Sequence, residues 1–596
     1  MKNRFINRAS EISQALIRFK STFVTVGVFS AIINLLMLVP SIYMMQVYDR
    51  VLASSNEVTL AMLTIMVLGA YVVMSALELI RSFILVRVGA AFDMDLNKRI
   101  YTASFEQNLK QAGGNAGQSL SDLVTVRQFL TGNGVFAFFD APWLPVYLVV
   151  IFFFEPALGW FALVGTVVLM LLAFINERVT KESLAEANSM AVAANMLATN
   201  NLRNAEVIEA MGMLPNLMGR WFKMHGKFLH LQAEASEKAG LVGAVTKFVQ
   251  LSLQSLVLGF GALLVIEGKM TPGMMIAASI LVGRALAPVQ QLIGVWKSFS
   301  ATRSAWERLT ALLEANPARE SGMSLPKPLG ALAVENVTAA APGSKVAVLK
   351  GLSFTVGAGD VLGVIGPSGS GKSTLARLLV GVWQAQAGKV RLDGADIYQW
   401  NKAELGPHLG YLPQDVELFG GTVSENIARF GEVDAQAVVQ AAQRAGVNDM
   451  VLQLPQGYDT VLGDGGAGLS GGQRQRLGLA RAMYGDPSVL VLDEPNSNLD
   501  DIGEQALVNA IAALRKRGKT VVLITHRTSV IGITNKLLLL RDGMSDMFGP
   551  TDQVLGLLQQ NAQKALQAQQ AQQAQEQRRP AGASAAPTAT AGQEPA

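Results

Sequence analysis

Residues 366–374 read GPSGSGKST, directly after the apolar run 361–365 and directly before LARLLVG. Strand, glycine-rich loop and helix in that order are what polyphosphate binding requires. Gly366, Gly369 and Gly371 let the backbone wrap close to phosphate oxygens, so that amide hydrogens and the helix N-terminus point at them. Pro367, Ser368, Ser370 and Thr374 complete the nucleotide loop. Lys372 is expected to reach the β- and γ-phosphates, and Ser373 to ligate Mg²⁺. A second apolar run, 489–492, ends in Asp493 and Glu494. If it is a strand, both carboxylates stand at the carboxyl edge of the sheet, where phosphates sit. Asp493 suits a Mg²⁺ shell, and Glu494 suits a general base acting on the attacking water.

The elements that must position these residues form an α/β pattern: from Leu332 short β-type runs alternate with helical ones. What precedes them is different. Half of the 596 residues are hydrophobic and 16% are charged, which is too apolar for an ordinary soluble chain. Six runs, at about 23–45, 58–80, 135–154, 157–175, 243–266 and 272–296, are each near the ~20 residues a helix needs to cross a bilayer. The basic N-terminal segment (Lys2, Arg4, Arg8, Arg18, Lys20) puts that end in the cytoplasm, and an even number of spans returns the C-terminal half to the same side. The intervening segments at about 81–134 and 176–242 are long and helix-prone, which reads as cytoplasmic extensions of the membrane helices. Arg284, inside the last run, either lines a conduit or makes a structural pair or snorkels.

The expected organisation is therefore a cytoplasmic segment (1–22), a six-helix membrane domain (23–300), a linker (301–331), an α/β P-loop domain (332–558) and a Gln/Ala/Pro-rich tail (559–596) that frays from a helix into disorder. The net charge of +4 comes with no Lys/Arg-rich block, so nucleic-acid binding is not indicated. The absence of cysteine excludes disulfides, thiolate metal sites and cysteine nucleophiles. The four histidines (His225, His230, His408, His526) are too scattered for a metal site.

A third motif, LSGGQ at 469–473, precedes RQRLGLARAM. With it the chain resembles the ABC ATPase family, its motifs standing in family order. The resemblance implies that Gln414 in YLPQD senses Mg²⁺ and the lytic water and connects to the membrane domain. It implies that Asp500 in SNLD is the D-loop aspartate and that His526 in LITHR is the switch histidine contacting the γ-phosphate. It further implies that Ser470, Gly471, Gly472 and Gln473 close on a nucleotide held by another subunit, so that a homodimer is the simplest assembly. One departure is Ala341 in VTAAAPGSK, where the family usually carries an aromatic residue that stacks on adenine.

Spans fused ahead of the ATPase match ABC exporters, and 119–130 and 200–212 look like coupling regions. The strings PSIYMMQVYDRVLASSN, NNLRNAEVIEAMGM and MIAASILVGRALAPVQQ resemble type I secretion ATPases, in particular the bacterial exporters of alkaline metalloproteases and lipases. That resemblance implies an inner-membrane ATPase that moves an unfolded protein with a C-terminal signal. It also implies a periplasmic adaptor and an outer-membrane channel as partners. An exporter of lipids or small amphiphiles is the alternative of the same architecture, and no peptidase domain is expected before the first span.

Overall fold

The computed structural model describes residues 10–110, 116–318, 324–344, 346–499 and 501–577. Two compact units divide it, the first ending at Ala318.

The first unit is helical. Six of its helical segments are long and apolar enough to cross a membrane: Lys20–Ser54, Glu57–Lys110, Gly134–Phe154, Pro156–Arg203, Leu214–Ile266 and Pro272–Ala315. Each coincides with one of the expected runs, and four extend well past it. The 54 residues of Glu57–Lys110 correspond to about 80 Å of helix against ~30 Å of hydrocarbon. The segments expected to be helical extensions are therefore continuous with their spans. Breaks occur where the local chemistry demands them. Pro156 and Pro272 open their helices, where a missing N–H costs nothing, and Thr271 caps the latter by accepting from the Met274 amide at 3.2 Å. The first span passes through a π-helical turn, Val47–Val51, and ends at Ser55 in the left-handed region. Many apolar side chains of the second span, including Ile65, Met66 and Val72, stand exposed, a surface suited to hydrocarbon or another apolar partner rather than water.

Three helices bear on the expected boundaries. The last span does not stop at residue 300: its helix runs to Ala315, with Ala305, Leu309 and Leu313 buried. Charged residues lower the mean hydropathy of this stretch while its apolar positions still recur at helical spacing, so only the part from about 316 connects the units. At the N-terminus a helix, Glu11–Arg18, buries Ile12 and Ala15 within the segment expected to be a plain cytoplasmic lead. At the other end helix Thr551–Gln577 carries the beginning of the expected tail; residues 1–9 and 578–596 lie outside the described residues. Arg284 is half-buried and directs Nη1 to Met37 Sδ at 3.9 Å.

The second unit has a six-stranded sheet in the spatial order Met544–Pro550, Lys536–Arg541, Val361–Ile365, Thr520–Ile524, Val489–Asp493, Leu409–Leu412. All neighbours pair in parallel except the first two. Thr520–Ile524 and Val489–Asp493 are buried along their whole length, which is why 521–524 and 489–492 read as unbroken apolar runs. A four-stranded antiparallel sheet, built from Ala347–Val356, Leu332–Ala340, Ala387–Leu392 and Ala395–Asp396, accompanies it. Helices between Val423 and Met483 pack around Leu412, Leu477 and Leu490 in a core of their own.

Candidate functional site

Four adjacent parallel strands deliver the expected residues to one edge. Val361–Ile365 leads into the loop 366–371, Thr520–Ile524 into His526, Val489–Asp493 into Glu494, and Leu409–Leu412 into Gln414. Because the strands run in parallel, all four exits lie at their carboxyl ends, where α/β sheets bind ligands.

The glycine loop is held by close approach. Gly366 has φ +154°, and a Cβ there would collide with the Leu540 carbonyl. Gly371, at φ +100°, is the N-cap of helix Lys372–Leu379 and has no side-chain cap, so the first-turn amides remain available to an anion. Lys372 donates from Nζ to the carbonyls of Gly366 and Pro367 at 2.9 and 3.0 Å. Burial pushes its ammonium below the ordinary lysine value, with Glu494 and Asp493 acting in the opposite direction.

Asp493 is 2% exposed. Burial raises its carboxyl above the ordinary range against the hydrogen bond of the Ser373 hydroxyl, and the neighbouring Glu494 raises it further. Its Oδ1 is buried with no hydrogen-bond partner among the described residues. An orphaned carboxylate oxygen beside a serine hydroxyl and a phosphate loop has the hard-oxygen chemistry that a divalent cation takes, so the residues present fit Mg²⁺. Glu494 sits at φ +49°, its amide bonded to the Ile524 carbonyl at 3.0 Å. Gln414 Nε2 donates to Glu494 Oε2 at 3.3 Å, and His526 Nε2 lies 3.2 Å from Oε1. One carboxylate is thus bracketed by an amide and an imidazole, an arrangement able to aim it at a water and accept its proton.

The signature segment is built separately. Ser470 and Gln473 form a capping box at the start of helix Gly471–Met483, with the Ser470 amide on Gln473 Oε1 at 2.8 Å and the Gln473 amide on Ser470 Oγ at 3.3 Å. A Cβ on Gly472 would lie 2.6 Å from the Asn498 carbonyl. Among the described residues no hydrogen bond joins 470–473 to 366–374. Asp500 lies outside the described residues.

Two contributors carried no motif signal. Gln475, 2% exposed on the signature helix, donates to the Glu494 carbonyl at 3.3 Å. Arg429 sends its guanidinium to the carbonyls of Arg481, Gly406, Leu409, Ala482 and Tyr484, gathering the end of the signature helix and the start of the Gln414 strand. The serine-to-glutamine spacing of three could have announced the capping box; nothing local announces the reach of Arg429.

Six apolar helical segments followed by a phosphate-loop α/β unit with a signature helix define a membrane transporter with a fused ATPase. The chain belongs to the ABC transporter family: the family model for the ABC transporter transmembrane region matches residues 23–286, and that for the ABC transporter matches 349–497. It is 45% identical over 568 residues to the type I secretion system ATP-binding protein PrsD of Rhizobium meliloti (strain 1021), covering 94% of this chain and 98% of that protein. It is 29% identical to the cyclolysin secretion/processing ATP-binding protein CyaB of Bordetella pertussis (strain Tohama I), over 89% of this chain and 75% of that one. The leukotoxin translocation ATP-binding protein LktB of Mannheimia haemolytica is 26% identical with the same coverage. A solved structure of a bacterial Atm1-family ABC exporter with ATP bound superposes with a TM-score of 0.78 over 91% of this chain and 96% of its own, at 22% identity. That likeness concerns the fold, which is the ABC exporter fold.

Proposed function

We propose that the chain is the ATP-hydrolysing exporter of a type I secretion system, moving an unfolded protein such as a protease or lipase with a C-terminal signal out of the cell. The observation that carries this reading is the 45% identity to a type I secretion ATP-binding protein along nearly the whole of both chains. The bracketed carboxylate at Glu494 supports a hydrolysing rather than a merely nucleotide-binding unit.

In this reading residues 366–374 wrap the phosphates, and Lys372 exchanges its loop carbonyls for phosphate oxygens. Ser373, Asp493 and Gln414 would hold Mg²⁺, which when bound neutralises phosphate charge. Glu494 accepts a proton as water oxygen bonds to the γ-phosphorus and the bond to ADP breaks, while His526 faces the γ-phosphate. Ser470, Gly471, Gly472 and Gln473 complete the site of a second copy, with Asp500 as the D-loop aspartate, so the working unit is a homodimer. It is placed in the bacterial inner membrane with the N-terminus and ATPase unit inside, joined to a periplasmic adaptor and an outer-membrane channel. Closure of the ATPase pair would pass to the membrane helices through 119–130 and 200–212.

ATPase activity of the vesicle-reconstituted protein tests the assignment. C-terminal fragments of secreted proteases or lipases should change the rate saturably, and scrambled fragments should not. A rate that answers only to lipids or small amphiphiles would replace the proposed cargo.

A further inference from the structure

His526 has little of its own to hold it. Its side chain is 51% exposed, and among the described residues its imidazole has one polar partner, Glu494 Oε1. An exposed ring on the segment after strand Thr520–Ile524 has several rotamers open to it. Its aim therefore has to come from the backbone on either side, and each side is tied down.

Before it stands Thr525, which is buried. The Thr525 amide donates to the Val364 carbonyl at 3.3 Å. Its hydroxyl donates to Asn496 Oδ1 at 3.2 Å and accepts the Arg527 amide at 3.1 Å. After it, Arg527 Nη1 and the Ser529 hydroxyl both donate to Glu504, one to each carboxylate oxygen. Glu504 lies in the first turn of helix Asp501–Lys516, where the helix dipole favours a carboxylate. Leu507, Ala510 and Ile511 of the same helix are buried, so this anchor is set in packed core rather than on a loop. The Ser529 hydroxyl first, and then Arg527, hold the Glu504 carboxyl below the ordinary glutamate range. An isolated surface pair of Arg and Glu contributes little. Here one carboxylate takes two donors, both from the four residues that begin with His526.

We propose that Glu504 is a positioning residue for ATP hydrolysis: by holding Arg527 and Ser529 it fixes the segment that carries His526 and keeps the imidazole on Glu494. Glu504 touches no reacting atom and acts only through that segment. Releasing Arg527 leaves the Thr525 tether in place but frees the chain on the far side of the ring, and a misplacement of about 1 Å at a hydrolytic group costs up to ~10²-fold in rate. Nucleotide affinity is set elsewhere, at Lys372 and the glycine loop, so the loss falls on turnover. The inference rests on the reading of Glu494 and His526 as parts of the hydrolytic site.

The test uses the full-length protein in phosphatidylcholine vesicles, with Glu504→Gln, Arg527→Gln, the double variant and His526→Ala compared by MgATP titration of the ATPase rate and by thermal unfolding. Each of the first two should lower kcat about tenfold with KM for ATP within about twofold of wild type and an unchanged unfolding midpoint. The double variant should lose no more than either single one, as the two halves of one contact do. Unchanged kcat in both single variants, or losses that multiply in the double, would overturn the proposal. So would a loss of kcat that comes with a lowered midpoint or a failure to fold, which would make Glu504 an anchor of the fold, or a loss that appears in KM instead. His526→Ala separates the proposal from the reading beneath it. If that variant turns over at the wild-type rate, the hydrolytic role of His526 falls and the proposal with it; if it is impaired while Glu504→Gln is not, the proposal alone falls.

Discussion

His526 Nε2 stands 3.2 Å from Glu494 Oε1, although the two residues leave different strands of the sheet. Gln414 takes the other carboxylate oxygen at 3.3 Å, so the side chain with the proposed base function is held from both sides. Replacing Glu494 by Gln keeps the shape and removes the proton acceptor. ATP should still bind, measured by equilibrium dialysis of labelled nucleotide, while hydrolysis falls about 10²–10⁴-fold, the usual contribution of a general base. Turnover near the wild-type rate would end the assignment.

Lys372 donates its ammonium to the Gly366 and Pro367 carbonyls. Lys372→Ala should weaken ATP binding by about 10–100-fold, the worth of a hydrogen bond to a charged group, and titration with a fluorescent ATP analogue would read it. An unchanged affinity would remove Lys372 from the phosphate contacts.

Asp493 yields a pH dependence with a definite sign. Burial raises its carboxyl above the ordinary range, so between the ordinary and raised values the folded state binds more protons than the unfolded state. Stability of the nucleotide-free protein should therefore fall as pH rises through that window, and thermal unfolding should record it. Mg²⁺ with ATP should recover stability chiefly above the window, where the carboxylate is charged. Asp493→Asn should flatten both the pH response and the Mg²⁺ response.

Between the end of the first span and the start of the last, Asp49 Oδ1 accepts the Gly273 amide at 2.8 Å and Oδ2 accepts the Thr271 hydroxyl at 2.5 Å. The carboxylate thus sits at the N-terminus of helix Pro272–Ala315, whose dipole favours negative charge. A Cβ at Gly273 would press within 2.5 Å of it. Asp49→Ala should cost about 1–2 kcal/mol of stability in detergent, seen as a lowered unfolding midpoint, and Gly273→Ala should lower it in the same direction by displacing the carboxylate.

The sequence by itself determined the elements whose signal is local. A run of about 20 apolar residues has few alternatives to a membrane helix, and each of the six runs lies within one. A buried parallel strand reads as unbroken apolar residues, and the loop after it reads as glycines because the Leu540 carbonyl leaves Gly366 no room for a Cβ. The order of motifs likewise carried the family. Tertiary structure alone decided which distant residues meet. Gln414 and Glu494 are 80 positions apart and converge because their strands are neighbours in the sheet. Arg429 and Gln475 act on backbone carbonyls, which look alike in every sequence and so leave no residue pattern. The Arg81–Asp140–Asn34 network needed three helices to pack before its members became partners. Hydropathy averages register Asn34 and Asp140 only as polar interruptions of apolar runs and Arg81 only as the residue just past one, because an average along the chain has no information about what lies across the interface.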